Sequence, residues 1–161
     1  MIAYETASKD PVLRQLLNEA VEAVCAKEGS ILLLSKEGRV LRFVVSTSGS
    51  EKKLQGLEQP ITKGITALSV SLQQPMIVNQ TAKSPAFDPS VDAQTGVKTE
   101  SIMVIPITTP KEELGALTAV NSTVATGFSG HDLERYSEFA EQIASRLSGL
   151  GFGKKDAGTI K

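Results

Sequence analysis

Residues 63–66 begin a predicted helix, and this helix start could bind an anion. The first N–H groups of a helix have no partner within the helix and carry partial positive charge, so they attract phosphate or carboxylate groups. Thr62 precedes them, and together with water its hydroxyl could cap the same groups. The sequence leaves an anion site and an ordinary capped helix end both open, and it predicts a helix over 63–73 that Thr62 caps.

Residues 79–100 form a polar segment between two apolar runs, and it is longer than a connection requires. Loops beyond about 12–15 residues in a compact domain are usually functional or disordered. Pro85 and Pro89 stiffen this segment, and Phe87 could serve as an apolar plug. We therefore interpret residues 79–100, called the lid below, as a cover over a pocket.

The chain has a single cysteine, Cys25, and a single histidine, His131. One thiol forms neither an intrachain disulfide nor a cysteine-based metal cluster. Cys25 lies near the end of the first predicted helix, where we expect a small buried hydrophobic residue rather than a nucleophile. We find no Ser–His–Asp pattern, no metal-ligand spacing and no phosphate-binding glycine motif in the sequence. The absence of these motifs from the sequence argues against an enzyme.

Composition indicates an ordinary globular domain. The 161 residues suit one domain, with 40% hydrophobic and 22% charged residues. A net charge of −1 gives no field that attracts nucleic acid or membranes, and 4% aromatic residues without Trp disfavour base stacking. No apolar run reaches the roughly 20 residues of a membrane span, and the first residues lack a signal-peptide pattern. We expect a cytoplasmic protein that neither binds nucleic acid nor inserts into membranes.

Apolar periodicity places helices and strands around the lid. An amphipathic helix over 11–27 follows Asp10-Pro11, a helix-start signal. We predict strands over 30–35, 40–46, 57–61, 76–78, 101–108 and 114–121, and a last helix that Ser129 and Asp132 cap. The strands over 30–35 and 40–46 form one hairpin, and those over 101–108 and 114–121 form another. The polar residues 47–56 are predicted to be a flexible loop.

The last helix carries apolar residues at alternating spacings of three and four, as in a coiled-coil seam. These residues are Leu133, Tyr136, Ala140, Ile143, Leu147 and Leu150. The seam could simply pack on the sheet, or it could be shared with a partner helix. We expect a homodimer through the terminal helices.

Three pieces of the chain resemble the GAF family of sensory domains. They are GITALSV (64–70) with QPMIV (74–78), TGVKTESIMVIPI (95–107), and LGALTAVN (114–121) with Phe128 and Asp132. The resemblance implies an α+β, PAS-like fold: a central antiparallel sheet of five to six strands, the N- and C-terminal helices on one face, and a ligand-pocket helix and lid on the other. The resemblance covers nearly all of a GAF-like domain over 10–150, and we expect an N-terminal arm over 1–9 and a flexible tail over 151–161.

The resemblance also implies a pocket beneath the lid. Residues matching the pocket pattern of cyclic-nucleotide-binding members are Thr66, Asp92, Thr95, Thr99 and Thr118, and we add Ser69 and Asn79 as candidate ligand-binding residues. The signature of those members is only partly present, because Ser122 replaces its Lys and Leu133 its Glu. Thr118 also stands where an acid is common. Cyclic-nucleotide binding is therefore not favoured.

Other activities of the family can be compared with the same residues. Covalent bilin attachment needs a pocket Cys, and haem binding needs an inward His, so neither cofactor is expected. GAF-type methionine sulfoxide reductases need several pocket cysteines. We expect a non-catalytic sensory or regulatory domain that binds an unidentified small molecule and transmits through its terminal helices. The alternatives are a structural dimerisation module with a vestigial pocket and, less favoured, a small reductase.

Overall fold

The structure, a computed structural model, describes residues 2–47, 51–96 and 98–152. Its helices are α1 (Ile2–Ser8), α2 (Pro11–Ala23), α3 (Glu51–Leu54), α4 (Gly64–Leu72), α5 (Ser90–Thr95) and α6 (Gly130–Gly149). Its strands are β1 (Ala26–Leu34), β2 (Val40–Ser46), β3 (Glu58–Pro60), β4 (Met76–Val78), β5 (Ile102–Thr108) and β6 (Glu113–Ser122). A 3-10 turn covers Thr81–Lys83.

The six strands form one sheet in the order β3-β2-β1-β6-β5-β4. Every neighbouring pair is antiparallel. At the centre, Gly115 lets β6 approach β1 closely, because a Cβ atom there would overlap the carbonyl oxygen of Leu32. The fold class expected from the resemblance is confirmed.

The terminal helices α1, α2 and α6 cover one face of the sheet, called the helix face. Asp10 caps α2 by accepting a hydrogen bond from the Leu13 N–H at 2.9 Å. At α6, the Ser129 hydroxyl accepts from the Asp132 N–H while the Asp132 carboxylate accepts from the Ser129 N–H, the predicted reciprocal cap. Alternate residues of the strands point into this face, so the main apolar core lies between the helices and the sheet.

The opposite face of the sheet, called the cavity face, is covered by α3, α4 and the lid. A second, smaller apolar cluster lies here, and it includes Leu32, Leu41, Phe43, Leu54, Ile65 and Val104. Because side chains alternate along a strand, each central strand contributes to both clusters.

Cys25 lies between α2 and β1 and is exposed, so the prediction of a buried cysteine is wrong. Helix α2 ends at Ala23, earlier than predicted. Cys25 then takes a left-handed conformation with φ 56°. This conformation redirects the chain into β1, which begins at Ala26, and leaves the thiol outside the core.

Two segments for which no helix was predicted contain helices. Residues 1–9 were expected to be an arm, yet α1 packs on the helix face, with Ala7 fully buried. Residues 47–56 were expected to be a loop, yet α3 forms within them. Arg14 stabilises α3 from α2 through an ion pair with Glu51, at 2.6 Å between Nη2 and Oε2.

All six residues of the predicted seam on α6 pack inside this domain, against the main core. They are therefore not available as a free seam, and a homodimer stays a prediction that would need other residues of the terminal helices. Phe152 also packs against the core. The predicted tail over 153–161 lies outside the described residues, and the predicted domain boundaries stay predictions. No helix among the described residues has the length and apolar character needed to cross a membrane.

Candidate functional site

A cavity of about 280 Å³ lies on the cavity face, between the sheet, the N-terminus of α4 and the lid. Its floor includes Ser30 from β1 and Thr118 from β6, adjacent strands in which these two residues are paired. Apolar walls come from Phe43, Leu54 and Phe87. The cavity thus has a polar floor and largely apolar sides.

The N-terminus of α4 borders the cavity through residues 63–66. The N-cap residue is Lys63, and its side chain makes no capping hydrogen bond. The prediction that Thr62 caps this helix is therefore wrong. The helix begins at Gly64, so the capping position is Lys63, one residue after Thr62. The first N–H groups of α4 are left for water or a ligand.

Thr66 lies in the first turn of α4 and lines the cavity. The residue as a whole is only 6% exposed, but its hydroxyl, which has no hydrogen-bond partner among the described residues, is accessible from the cavity rather than buried. A hydroxyl both donates and accepts. Thr66 therefore offers a hydrogen bond beside helix N–H groups that can also donate.

Thr118 is 4% exposed, and its hydroxyl donates to the Ser30 carbonyl at 3.5 Å, the limit of a hydrogen bond. The Ser30 hydroxyl pairs with the Ser46 hydroxyl at 2.8 Å. The floor of the cavity therefore contains one strongly bonded hydroxyl and one weakly bonded hydroxyl.

Asp92 on α5 connects this helix to Thr99 near the end of the lid. Its carboxylate accepts from the Thr99 N–H at 2.7 Å and from the Thr99 hydroxyl at 2.8 Å. Thr95 donates its hydroxyl to the Val91 carbonyl at 2.9 Å within α5. Asp92 and Thr99 therefore satisfy each other, and their first function is to join α5 to the end of the lid.

Five charged residues line the cavity: Glu28, Glu58, Lys63, Asp88 and Asp92. Glu58 is paired with Arg42 at 2.6 Å. Hydrogen bonding from the Ser90 hydroxyl holds the pKa of Asp88 below its ordinary value; burial opposes this shift, and Lys63 adds to it. With Glu58 neutralised by Arg42, three acids and one base remain, and this lining disfavours a ligand with several negative charges.

The structure brings together five of the seven predicted site residues: Thr66, Asp92, Thr95, Thr99 and Thr118 all line the cavity. Ser69 and Asn79 do not. Ser69 lies further along α4, where its hydroxyl donates to the Gln74 carbonyl. The Asn79 amide pairs with the backbone of Phe128.

Several lining residues were missed from the sequence, among them Ser30, Glu28 and Phe43. A signal for two of them was available: Glu28, Ser30 and Leu32 alternate along β1 and therefore share the cavity face. The prediction began this strand at Ser30, which hid the alternation. Across residues 2–47, 51–96 and 98–152, no three His, Cys, Asp or Glu side chains are grouped so as to hold a metal ion.

Comparison with known proteins agrees with this architecture. The second GAF domain of DevS from Mycobacterium smegmatis superposes with a TM-score of 0.70 at 17% identity, covering 89% of this chain and 96% of that chain. The GAF domain of an Acinetobacter phosphoenolpyruvate-protein phosphotransferase gives 0.73 at 13% identity, covering 92% and 89%. Residues 122–287 of a methyl-accepting chemotaxis protein give 0.74 at 19% identity, covering 88% and 91%. These likenesses concern the fold.

A sequence relative and a family model add to these structural likenesses. The alpha' subunit of cone cGMP-specific 3',5'-cyclic phosphodiesterase from Mus musculus is 31% identical over 88 residues. That match spans 55% of this chain but only 10% of the phosphodiesterase subunit. The model of the GAF domain matches residues 9–147. The chain belongs to the GAF domain family.

Proposed function

We propose that this GAF domain is a non-catalytic sensory module that binds a small polar molecule in the cavity beneath the lid. One observation carries the proposal: the Thr66 hydroxyl, without a partner among the described residues, reaches the cavity beneath the lid beside an uncapped helix start. A hydroxyl that reaches a cavity without a protein partner is left to hydrogen-bond with water or with a ligand. The chemotaxis protein of similar fold supports a role in signalling.

The cavity limits the ligand by size and charge. About 280 Å³ is just below the usual range of roughly 300–1,000 Å³ for ligand pockets. The excess of acidic over basic side chains in the lining favours a ligand with no more than one negative charge. The negatively charged group of the ligand would lie at the N-terminus of α4, and its apolar part would lie against Phe43, Leu54 and Phe87. Cyclic GMP is a natural first probe, since the mouse relative is a cGMP-specific phosphodiesterase.

A thermal-shift screen tests this proposal with cyclic GMP, cyclic AMP, nucleosides and small metabolites as probes. A ligand that prefers the folded state raises the melting temperature in a concentration-dependent way. We expect a stabilising compound whose effect is strongly reduced in Thr66→Val. Ser71→Ala is the matched control, because Ser71 lies on the same helix but is exposed and outside the cavity.

Two outcomes would contradict the proposal. One is that no compound in the screen raises the melting temperature. The other is that Thr66→Val and Ser71→Ala respond to the stabilising compound as the wild type does, since the compound would then bind elsewhere.

Transmission through the terminal helices belongs to the same proposal, as do a cytoplasmic location and a homodimer. The predicted seam is buried in the domain, so the homodimer would use the outer sides of α2 and α6. Val12, which is 39% exposed on α2, is an apolar residue on such a surface. Sedimentation of the wild type and of Val12→Glu measures the oligomeric state. A wild type that is monomeric at all concentrations would rule out the homodimer.

A further inference from the structure

Hydrogen bonds join the beginning and the end of the lid at its base. The Thr81 hydroxyl donates to the Thr99 carbonyl at 2.6 Å, and the Thr81 N–H donates to the Glu100 carbonyl at 3.1 Å. Asp92 adds the two hydrogen bonds to Thr99 described above. All of these bonds involve Thr99 or its neighbour Glu100. Opening the lid must therefore move the residues that precede and the residues that follow its base.

The residue before the lid base is tied to the start of the C-terminal helix. The Asn79 amide donates to the Phe128 carbonyl at 3.0 Å and accepts from the Phe128 N–H at 2.8 Å. Phe128 is 4% exposed and belongs to the core of the helix face. Gly127, with φ 84°, makes room for this contact, because a Cβ atom there would overlap the Asn79 amide. Asn79 therefore links the lid to the opposite face of the sheet.

The residues after the lid base are tied to the end of β6. The Asn121 side chain accepts from the Glu100 N–H at 2.7 Å and from the Ser101 N–H at 3.2 Å. It also donates to the Lys98 carbonyl at 2.9 Å. Asn121 has a left-handed backbone with φ 62°, a conformation that Asn tolerates better than most residues. Its three side-chain bonds all go to the lid and the residues that follow it.

Residues 123–129 form the connector that joins β6 to α6. The two asparagines attach the lid to the two ends of this connector. Asn121 lies just before this connector at the end of β6, and Asn79 contacts it next to the α6 cap. Two elements that share such bonds change position together rather than independently. Resting on the function proposed above, we propose that Asn79 and Asn121 are positioning residues that transmit the state of the lid to the first turn of α6.

Amide hydrogen exchange tests this proposal without a ligand, so the result does not depend on the ligand screen. Asp92→Ala removes two of the four hydrogen bonds at the base of the lid. We expect it to accelerate exchange at the Asp132 and Leu133 amides by about fivefold, the low end of measured couplings between sites. In the Asn79→Ala or Asn121→Gly background, the same substitution should accelerate exchange there by less than about twofold. Gly keeps the left-handed backbone while removing the side chain.

Ser84→Ala is the control, because Ser84 belongs to the lid but lies outside the cavity lining, and its hydroxyl accepts only from the Ala86 N–H within the lid. It should leave exchange at Asp132 and Leu133 unchanged. If Asp92→Ala prevents folding, Thr99→Val removes one of the same bonds more gently. The proposal is overturned if opening the lid leaves the first turn of α6 unaffected. It is equally overturned if the acceleration is the same with and without the two asparagines.

Discussion

The two faces of the sheet are built from the same strands but differ in what covers them. On the helix face, α1, α2 and α6 close over an apolar core in which the Tyr136 hydroxyl is fully buried and donates to the Thr118 carbonyl at 2.6 Å. On the cavity face, a shorter helix and the lid leave a void. There the Thr66 hydroxyl reaches the cavity and has no partner among the described residues.

This difference separates stability from binding. Close packing and paired polar groups stabilise a fold, whereas a void and an open hydroxyl cost stability. The helix face follows the first pattern and the cavity face the second. Because alternate residues of one strand serve the two faces, substitutions within a single strand can compare them with backbone effects held constant.

The largest expected effect uses β5. Ile105 points into the core of the helix face, and Ile102 points into the cavity face and lines the cavity. Ile105→Ala should lower the free energy of unfolding by about 3–5 kcal/mol, because it opens a new void in a packed core. Ile102→Ala should cost about 2 kcal/mol, since it only enlarges an existing void. Urea unfolding of both variants measures the difference, and equal costs would mean that the two faces are equally well packed.

A second prediction concerns pH and the helix face. The Arg146 guanidinium on α6 donates to the Asp10 carboxylate, with Nε to Oδ2 at 3.0 Å. This bond holds the pKa of Asp10 below its ordinary value, against the opposing effect of burial and with help from the Leu13 N–H. A carboxyl whose pKa is lower in the folded state stabilises the fold above its unfolded pKa, about 3.9, and loses that contribution as pH falls.

Asp10→Asn retains a residue that caps helices well but removes the charge. The wild type should be the more stable of the two at pH 7, and the difference should shrink as the pH falls below about 4. Arg146→Gln should give the same pH dependence, since it removes the other half of the pair. Urea midpoints from pH 7 to pH 2.5 measure this, and parallel curves for wild type and variants would show that the pair does not stabilise the fold.

Most of the fold could be predicted because it depends on local patterns. Apolar periodicity predicted α2, the strands and α6, and Ser129 with Asp132 predicted the start of α6. Helix α3 was missed because its four residues, EKKL, include a single apolar residue, Leu54, which is too little for an apolar stripe, and because it is held by Arg14 from another helix. The position of Cys25 depends on a left-handed turn, which the sequence does not reveal for a non-glycine residue.

The candidate site could be predicted only where the resemblance fixed which positions face the pocket. Thr66 and Thr118 were found in this way, and both line the cavity. Asn79 was expected to contact a ligand, but its partner, Phe128, lies 49 residues along the chain. Such a pairing is a tertiary contact that periodicity and spacing do not encode. Ser69 shares a helix with Thr66, but its position on that helix turns it toward Gln74 instead.

The smallest expected effect compares two hydroxyls. Thr66→Val on the cavity face should change the free energy of unfolding by less than about 0.5 kcal/mol, because the hydroxyl it removes bonds to no protein group and is accessible from the cavity. Tyr136→Phe on the helix face should cost about 1–2 kcal/mol, since it breaks a buried hydrogen bond and leaves the Thr118 carbonyl without that donor. Urea unfolding without ligand measures both. If Thr66→Val cost as much as Tyr136→Phe, the Thr66 hydroxyl would be supporting the fold, and the cavity face would lose its strongest claim to a binding role.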